Sequence, residues 1–290
     1  MRTTVYTTLA LIAFAGNSIL CRLALGEEAI DPSGFTIIRL LSAVAALLII
    51  LSVTPSQSAP GSKGSWSAAS MLFVYAAAFS YAYTTLETGI GALILFTAVQ
   101  LTMIASGLVT GERPNRLEWL GLIIAFSGFA YLVAPGAAAP PLVGLLLMST
   151  AGIAWGFYTL LGRRSEDPLR DTSYNFLRTL PLVLILLAAT VTQLEVSIKG
   201  VMLAVLSGSL ASGVGYSIWY AALRGLSGTQ AAVLQLCVPV IASLGGIVFA
   251  QESLSLRLVL ASAMICGGIL SVILGKANAV PRHQSIQTES

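Results

Sequence analysis

Asn17, Gln100, Trp155 and Gln235 stand deep inside long apolar runs of this 290-residue sequence. A polar side chain in such a run is costly unless a partner receives it. An amide there has two readings. It lines a cavity and offers hydrogen bonds to a small molecule, or it closes an interhelical hydrogen bond worth about 1 kcal/mol. Nearby aromatic residues sharpen the first reading. Tyr75, Phe79 and Tyr83 recur at i, i+4 and i+8, on one helical face, and Tyr216, Trp219 and Tyr220 cluster in a later run. Aromatic rings with a few amides make the lining that a planar, amphipathic molecule needs. Tyr83 and Tyr220, close to the ends of their runs, also fit a membrane-surface belt. The candidate binding set is Asn17, Tyr75, Phe79, Tyr83, Gln100, Trp155, Trp219 and Gln235.

Covalent chemistry has no comparable support. The one histidine, His283, lies in the polar tail, so no His-based triad or histidine metal cluster forms in the apolar runs. No GxxxxGK phosphate loop is present, and Cys21, Cys237 and Cys266 show no paired spacing. No catalytic residue, metal or cofactor is expected. All three lysines fall outside the apolar runs and no arginine is central to one, which leaves a phosphorylated molecule without a counter-charge. No Asp or Glu sits mid-run either, so a cationic molecule lacks its carboxylate and a proton relay lacks its carrier. A neutral or zwitterionic small molecule, moved without proton coupling, is the expectation.

The composition says where these residues must sit. Lys+Arg 15 and Asp+Glu 12 make 9% of the chain, against 56% hydrophobic residues. A soluble domain carries about 25% charge. With a mean hydropathy of +0.88, the sequence excludes an ordinary soluble enzyme, a nucleic-acid binder and a disordered chain. Its partner is the lipid bilayer.

Charges mark the span ends, because a charge at the bilayer centre is expensive. The runs between them fit helices of about 20 residues. The 44 residues between Glu118 and Arg163 make two, divided by Pro135-Gly136 and Pro140-Pro141. Ten spans are predicted: 4–24, 33–53, 66–86, 89–111, 117–134, 142–162, 172–194, 200–222, 229–250 and 257–275. With a cytoplasmic N-terminus, that side holds Arg2, Lys63, Arg113, Arg116, Arg163, Arg164, Arg170, Arg224, Lys276 and Arg282. The other holds Arg22, Lys199 and Arg257. This bias places both termini in the cytoplasm.

The chain also repeats itself. At an offset of 140, Gly16 meets Gly156, Ala92 meets Ala232, Glu112 meets Glu252 and Gly128 meets Gly268; at 139, Arg39 meets Arg178. Each half holds five spans, and an odd number inverts the second copy, an architecture of transporters with a site between the halves. The predicted fold is an all-α membrane protein of ten transmembrane helices, as two inverted five-helix repeats around a central cavity. The first repeat covers 1–137, the second 138–275, and 276–290 is a polar cytoplasmic tail. Arg39 and Arg178, about two turns inside their spans, either snorkel to the interface or pair with carboxylates at their own level. Those are Glu252 for Arg39 and Glu112 for Arg178, which would bias two states. Pro239, inside the ninth span, removes a helix hydrogen bond and is a candidate hinge.

The tandem halves, the glycine of each first span ("FAGNS", "AWGFY"), the arginine of each second span and the glutamate closing each fourth ("GERPNRLEWLG", "AQESLSLRLVLA") resemble the drug/metabolite transporter superfamily, EamA type. The resemblance covers residues 4–275. It implies an exporter in which the first, third and fourth helices of each half surround the cavity, with the fifth and tenth peripheral. The amino-acid exporter branch is the nearest in kind. The expected function is alternating-access export of small neutral or zwitterionic metabolites from the inner membrane, foremost aromatic or other large neutral amino acids. Other neutral metabolites or drugs stay open as substrates, as do monomer and homodimer as states. An intramembrane enzyme or a channel subunit is disfavoured, since no mid-span catalytic set or ring of like polar groups is present.

Overall fold

The computed structural model of the chain describes residues 2–54, 63–111, 113–136, 139–163, 165–226 and 228–279. The expected polar tail, with His283, and the candidate residue Glu112 lie outside the described residues. Among the described residues the chain is helical apart from turns and one isolated bridge between Ile30 and Val196. Hydrocarbon offers backbone groups no partner, so a spanning segment satisfies them within its own helix.

The first half contributes α1 (Arg2–Leu25), α2 (Pro32–Val53), α3 (Trp66–Ala82), α4 (Thr88–Val109) and α5 (Arg116–Val133). Local chemistry sets several starts. Asp31 caps α2 by accepting from the Ser33 and Gly34 amides, with Pro32 at the first turn. Asn115 and Glu118 close a capping box on α5. α6 (Leu142–Gly162) opens the second half. The seventh span is two helices, α7 (Pro168–Arg178) and α8 (Leu180–Thr190), because Pro181 cannot continue the ladder of α7. It also begins at Pro168, a turn before the expected 172. The eighth comprises α9 (Ile198–Leu206), a π-helical stretch over Ser207–Val214 and α10 (Gly215–Leu223). The ninth is α11 (Gly228–Gln235) and α12 (Cys237–Ala250), interrupted at Leu236. Pro239 has no N–H to donate to the carbonyl of Gln235 four residues earlier, and a proline ring crowds that carbonyl, which accounts for the break. α13 (Leu256–Ala279) completes the bundle. Among the described residues, nine segments are long and apolar enough to cross a membrane, and the 17-residue α3 is the shorter tenth.

The halves pack reciprocally. α1 lies against α10 and α12, while α6 lies against α3 and α4. The two ends of the bundle repeat the relation. At the end bearing the C-terminus of α1, here the far end, the Asp31 amide donates to the Glu195 carbonyl (2.9 Å) and the Ser197 amide to the Ala29 carbonyl (3.1 Å). At the near end, the Gly64 amide donates to Asp171 Oδ1 (2.7 Å) and the Ser65 amide to Asn175 Oδ1 (2.8 Å). Each contact joins a loop of one half to the second helix region of the other.

α5 and α13 pair along their length through glycines. A Cβ on Gly121 would meet the Gly268 carbonyl oxygen at 2.5 Å and the Val272 nitrogen at 2.9 Å. Both obstacles are backbone, so the helices themselves would have to part. Gly121→Ala is expected to destabilise by about 1–3 kcal/mol, seen as a lower unfolding temperature in detergent. Gly267→Ala, with nothing within 4 Å of its added Cβ, is expected to leave that temperature unchanged.

Candidate substrate cavity

Between the halves runs a cavity of about 300 Å³, from a buried floor to an exposed mouth at the near end. α1 supplies Phe14, Asn17 and Ser18, and α3 supplies Tyr75 and Phe79. α6 supplies Trp155 and Tyr158, α10 supplies Tyr216, Trp219 and Tyr220, and Gln235 reaches in from α11. The mouth is framed by Gly162, Arg163 and Ser165. Of the candidate residues, Asn17, Tyr75, Phe79, Trp155, Trp219 and Gln235 therefore share one cavity. α7 also lines it, through Asp171, Thr172 and Asn175, so the second helix of the second half joins the expected first, third and fourth.

Two candidates lie elsewhere. Gln100 is buried on α4 and is not part of the lining. Tyr83 is fully buried at the C-cap of α3, its hydroxyl donating to the Thr88 carbonyl (3.2 Å). Its ring occupies the space that a side chain at Gly91 would fill, 2.6 Å from a Cβ placed there. Tyr83 is a plug beyond the floor rather than part of the lining or of a membrane belt.

The walls are an aromatic cluster centred on Trp155. The indole stacks on Tyr158 and on Tyr216, at 5.2 Å for each pair of centroids, and meets Tyr75 at 4.8 Å. Phe14 contacts Tyr216 and Trp219, both at 5.7 Å. Phe14 and Tyr158 are absent from the sequence-derived candidates, yet each stands three residues from one of them, Asn17 and Trp155, on the same helical face. Toward the mouth the walls turn polar, where Thr172 Oγ1 meets the hydroxyls of Tyr158 (3.2 Å) and Tyr220 (2.8 Å).

The floor is a hydrogen-bonded cluster. Asn17 Oδ1 accepts from Ser207 Oγ at 2.6 Å, and Asn17 Nδ2 donates to the Tyr75 hydroxyl at 3.3 Å. Ser207 opens the π-helical stretch, whose Gly208 lies so close to α2 that an added Cβ would meet the Arg39 carbonyl oxygen at 2.1 Å. Such wide turns are frequent at functional sites. Arg39 differs from expectation. It is 2% exposed, donates from Nη2 to the Tyr75 hydroxyl (3.0 Å), and lies over the rings of Tyr75 and Phe79 at 5.2 and 5.0 Å. It neither snorkels nor pairs with Glu252.

Glu252 is held by Arg22 instead. Both Glu252 oxygens accept from the Thr88 amide at 2.9 Å, and Oε1 also accepts from Thr88 Oγ1 (3.1 Å) and Arg22 Nε (3.2 Å). Arg22 Nη1 continues to the Tyr83 carbonyl (3.2 Å). Gln251 adopts a left-handed φ of 54° at the end of α12, which turns the chain toward α4. Glu252 thus caps α4 from the opposite half and closes the far end. Arg178, proposed to face Glu112, donates to the Lys63 carbonyl and lies over the Trp66 ring at 5.8 Å. It fastens the loop before α3 to α7.

The sequence profile of the EamA-like transporter family matches residues 2–134 and again 142–274. The chain belongs to that family. It is 48% identical over 279 residues to an uncharacterized protein of Pseudomonas aeruginosa, covering 95% of this chain and 97% of that one. It is 26% identical to the uncharacterized transporter YwfM of Bacillus subtilis, over 98% and 97% of the two chains. The uncharacterized inner membrane transporter YedA of Escherichia coli is 27% identical, over 67% of this chain and 64% of its own. A solved crystal structure superposes with a TM-score of 0.64 at 20% identity, over 92% of this chain and 98% of that one, and shares the fold. This EamA-family chain is a multi-pass membrane transporter.

One carboxylate beside the far-end closure of this EamA bundle is poorly served. Glu87 precedes α4 but makes no side-chain cap hydrogen bond. Its carboxyl titrates above the ordinary 4.5 because burial disfavours the charge, with Glu252 adding to the rise and Arg22 opposing it. A carboxyl whose folded-state pKa is raised costs stability once pH climbs above its unfolded value. Glu87→Gln is therefore expected to raise the unfolding temperature at neutral pH. The gain should vanish below about pH 4, where the wild-type group is protonated in both states. Thermal unfolding in detergent at the two pH values checks the sign.

Proposed function

We propose that this transporter is an inner-membrane carrier that exports amino acids with large neutral side chains, aromatic ones foremost, by alternating access. The observation that carries the reading is the Trp155-centred aromatic wall above an amide and hydroxyl floor, in one cavity of about 300 Å³. That volume suits a single small molecule. A planar side chain finds faces to stack on, and a polar backbone end finds Asn17 and Tyr75.

Access supports it too. The Lys/Arg bias assigns the near end to the cytoplasm. The cavity opens there, while Tyr83 and the Arg22–Glu252–Thr88 closure block the far end. This is the arrangement of a carrier loading from inside, and the reciprocal packing of the halves supplies the counterpart by exchanging their roles.

The test is counterflow of labelled amino acids by purified protein in liposomes, without an imposed ion gradient. Selective movement of phenylalanine, tyrosine or tryptophan over glycine and lysine is the expected result. Movement of none of them by protein that still unfolds cooperatively would overturn the substrate reading.

A further inference from the structure

We infer that the cavity floor is a carboxylate site, in which Tyr75 and Asn17 donate to the substrate's carboxylate and Arg39 supplies the balancing charge from behind them. The inference rests on the carrier reading above and names the chemical class its substrate must contain.

A cation buried in a membrane bundle requires an anion or a full set of acceptors. Arg39 has neither among the described residues. The ion pairs there are Arg22–Glu252 and Lys199–Glu27, and Arg39 is in neither. Its Nη2 donates to the Tyr75 hydroxyl, while Nη1 is buried without a hydrogen-bond partner. Two ring faces, Tyr75 and Phe79, offset part of the desolvation, but a quadrupole does not neutralise a charge. A negative group is missing from this environment.

The hydrogen-bond directions show where it belongs. The Tyr75 oxygen receives hydrogens from both Arg39 Nη2 and Asn17 Nδ2. Its own O–H is therefore available for an acceptor, and Tyr75 lines the cavity. Donation from a cation into that oxygen makes the hydroxyl a stronger donor. Asn17 is fixed by Ser207, which satisfies its carbonyl and leaves the amide hydrogens to donate. The floor thus offers donors backed by an unpaired positive charge, and such donors make short, strong bonds to carboxylates. The Trp155 wall begins directly above, at 4.8 Å from the Tyr75 ring. A molecule with a carboxylate at one end and a planar apolar group at the other fits both.

The experiment measures competition against labelled phenylalanine by four unlabelled compounds: phenylalanine, phenylalaninamide, phenethylamine and 3-phenylpropionate. The full-length protein in liposomes is used. Compounds with the carboxylate are expected to compete at least about tenfold better than the amide and the amine, a difference of ~1.4 kcal/mol. In Tyr75→Phe, which keeps the ring under Arg39 and removes the hydroxyl, that ratio is expected to collapse toward one. Arg39→Gln is expected to do the same; where it does not fold, Tyr75→Phe carries the test alone. Phenylalaninamide competing as well as phenylalanine would overturn the carboxylate site and leave the aromatic amino-acid reading intact. If no amino acid is moved, ligand-induced thermal stabilisation is read with the same four compounds. Stabilisation by 3-phenylpropionate but not by phenethylamine would sustain the site while the amino-acid reading fails, and stabilisation by neither would overturn the site.

Discussion

Trp155→Ala is expected to raise the KM for aromatic amino acids at least about tenfold, equivalent to ~1.4 kcal/mol, while the protein still inserts and folds. The indole is the shared member of three ring contacts, with Tyr75, Tyr158 and Tyr216. Aromatic pairs contribute about 0.5–1.5 kcal/mol each beyond the area they bury. Removing the indole deletes a stacking face for the substrate and also frees Tyr158 and Tyr216 from their fixed planes. Part of the substrate's binding energy would then go into ordering those rings. Trp155→Phe, which keeps a smaller ring in place, should fall between. Trp119→Ala is the control, since Trp119 is 51% exposed on α5 and contributes nothing to the cavity. Initial rates in liposomes separate KM from kcat. An unchanged KM in Trp155→Ala would move substrate binding out of this cavity.

That Trp155 was legible in the sequence follows from its setting. An indole with no charged residue within seven positions on either side, on the glycine-bearing helix that repeats α1, has few other reasons to be there. The spans were legible for a related reason, because charges in this chain do fall near helix ends. The same ruler misplaced Arg39. A charge about two turns inside a span reads as one that reaches back to the interface, and whether it does depends on what packs over it. Here Tyr75, Phe79 and the close approach of Gly208 to the Arg39 carbonyl seal it in. The π-helical stretch had a faint signal in its run of Ser and Gly, but those residues equally mark close packing. Tyr83 satisfied the i, i+4, i+8 pattern with Tyr75 and Phe79, yet α3 ends at Ala82, and the turn directs its ring onto Gly91. Periodicity assigns a face of a helix; it does not say how far along the face the cavity extends.

Glu252→Ala is expected to open the far end of the bundle. The carboxylate accepts hydrogen bonds from the Thr88 amide, the Thr88 hydroxyl and Arg22, and its loss strands all three donors. Breaking one partner of a fully buried ion pair costs about 3–5 kcal/mol. Here the side chains are 23% exposed for Arg22 and 10% for Glu252, so water recovers part of that cost. Even a fraction of it matters to a carrier, whose two states differ by only a few kcal/mol. The closure accompanies the cavity's opening at the near end and tethers α1 and α4 of one half to the α12–α13 turn of the other. On the alternating-access reading, weakening it is expected to shift population toward a state open at the far end, without touching the cavity. Cys21, fully buried on α1 beside Arg22, is a native reporter. Its labelling by a membrane-impermeant thiol reagent from outside should rise several-fold in Glu252→Ala, measured with Cys237 and Cys266 replaced by serine. Arg22→Ala should give the same phenotype, and the double variant should be less impaired than the sum of the two, because each single change already abolishes the shared contact. Additive effects, or Cys21 protected in all three, would mean that Tyr83 and the packing around it close the far end unaided and that the ion pair only decorates it.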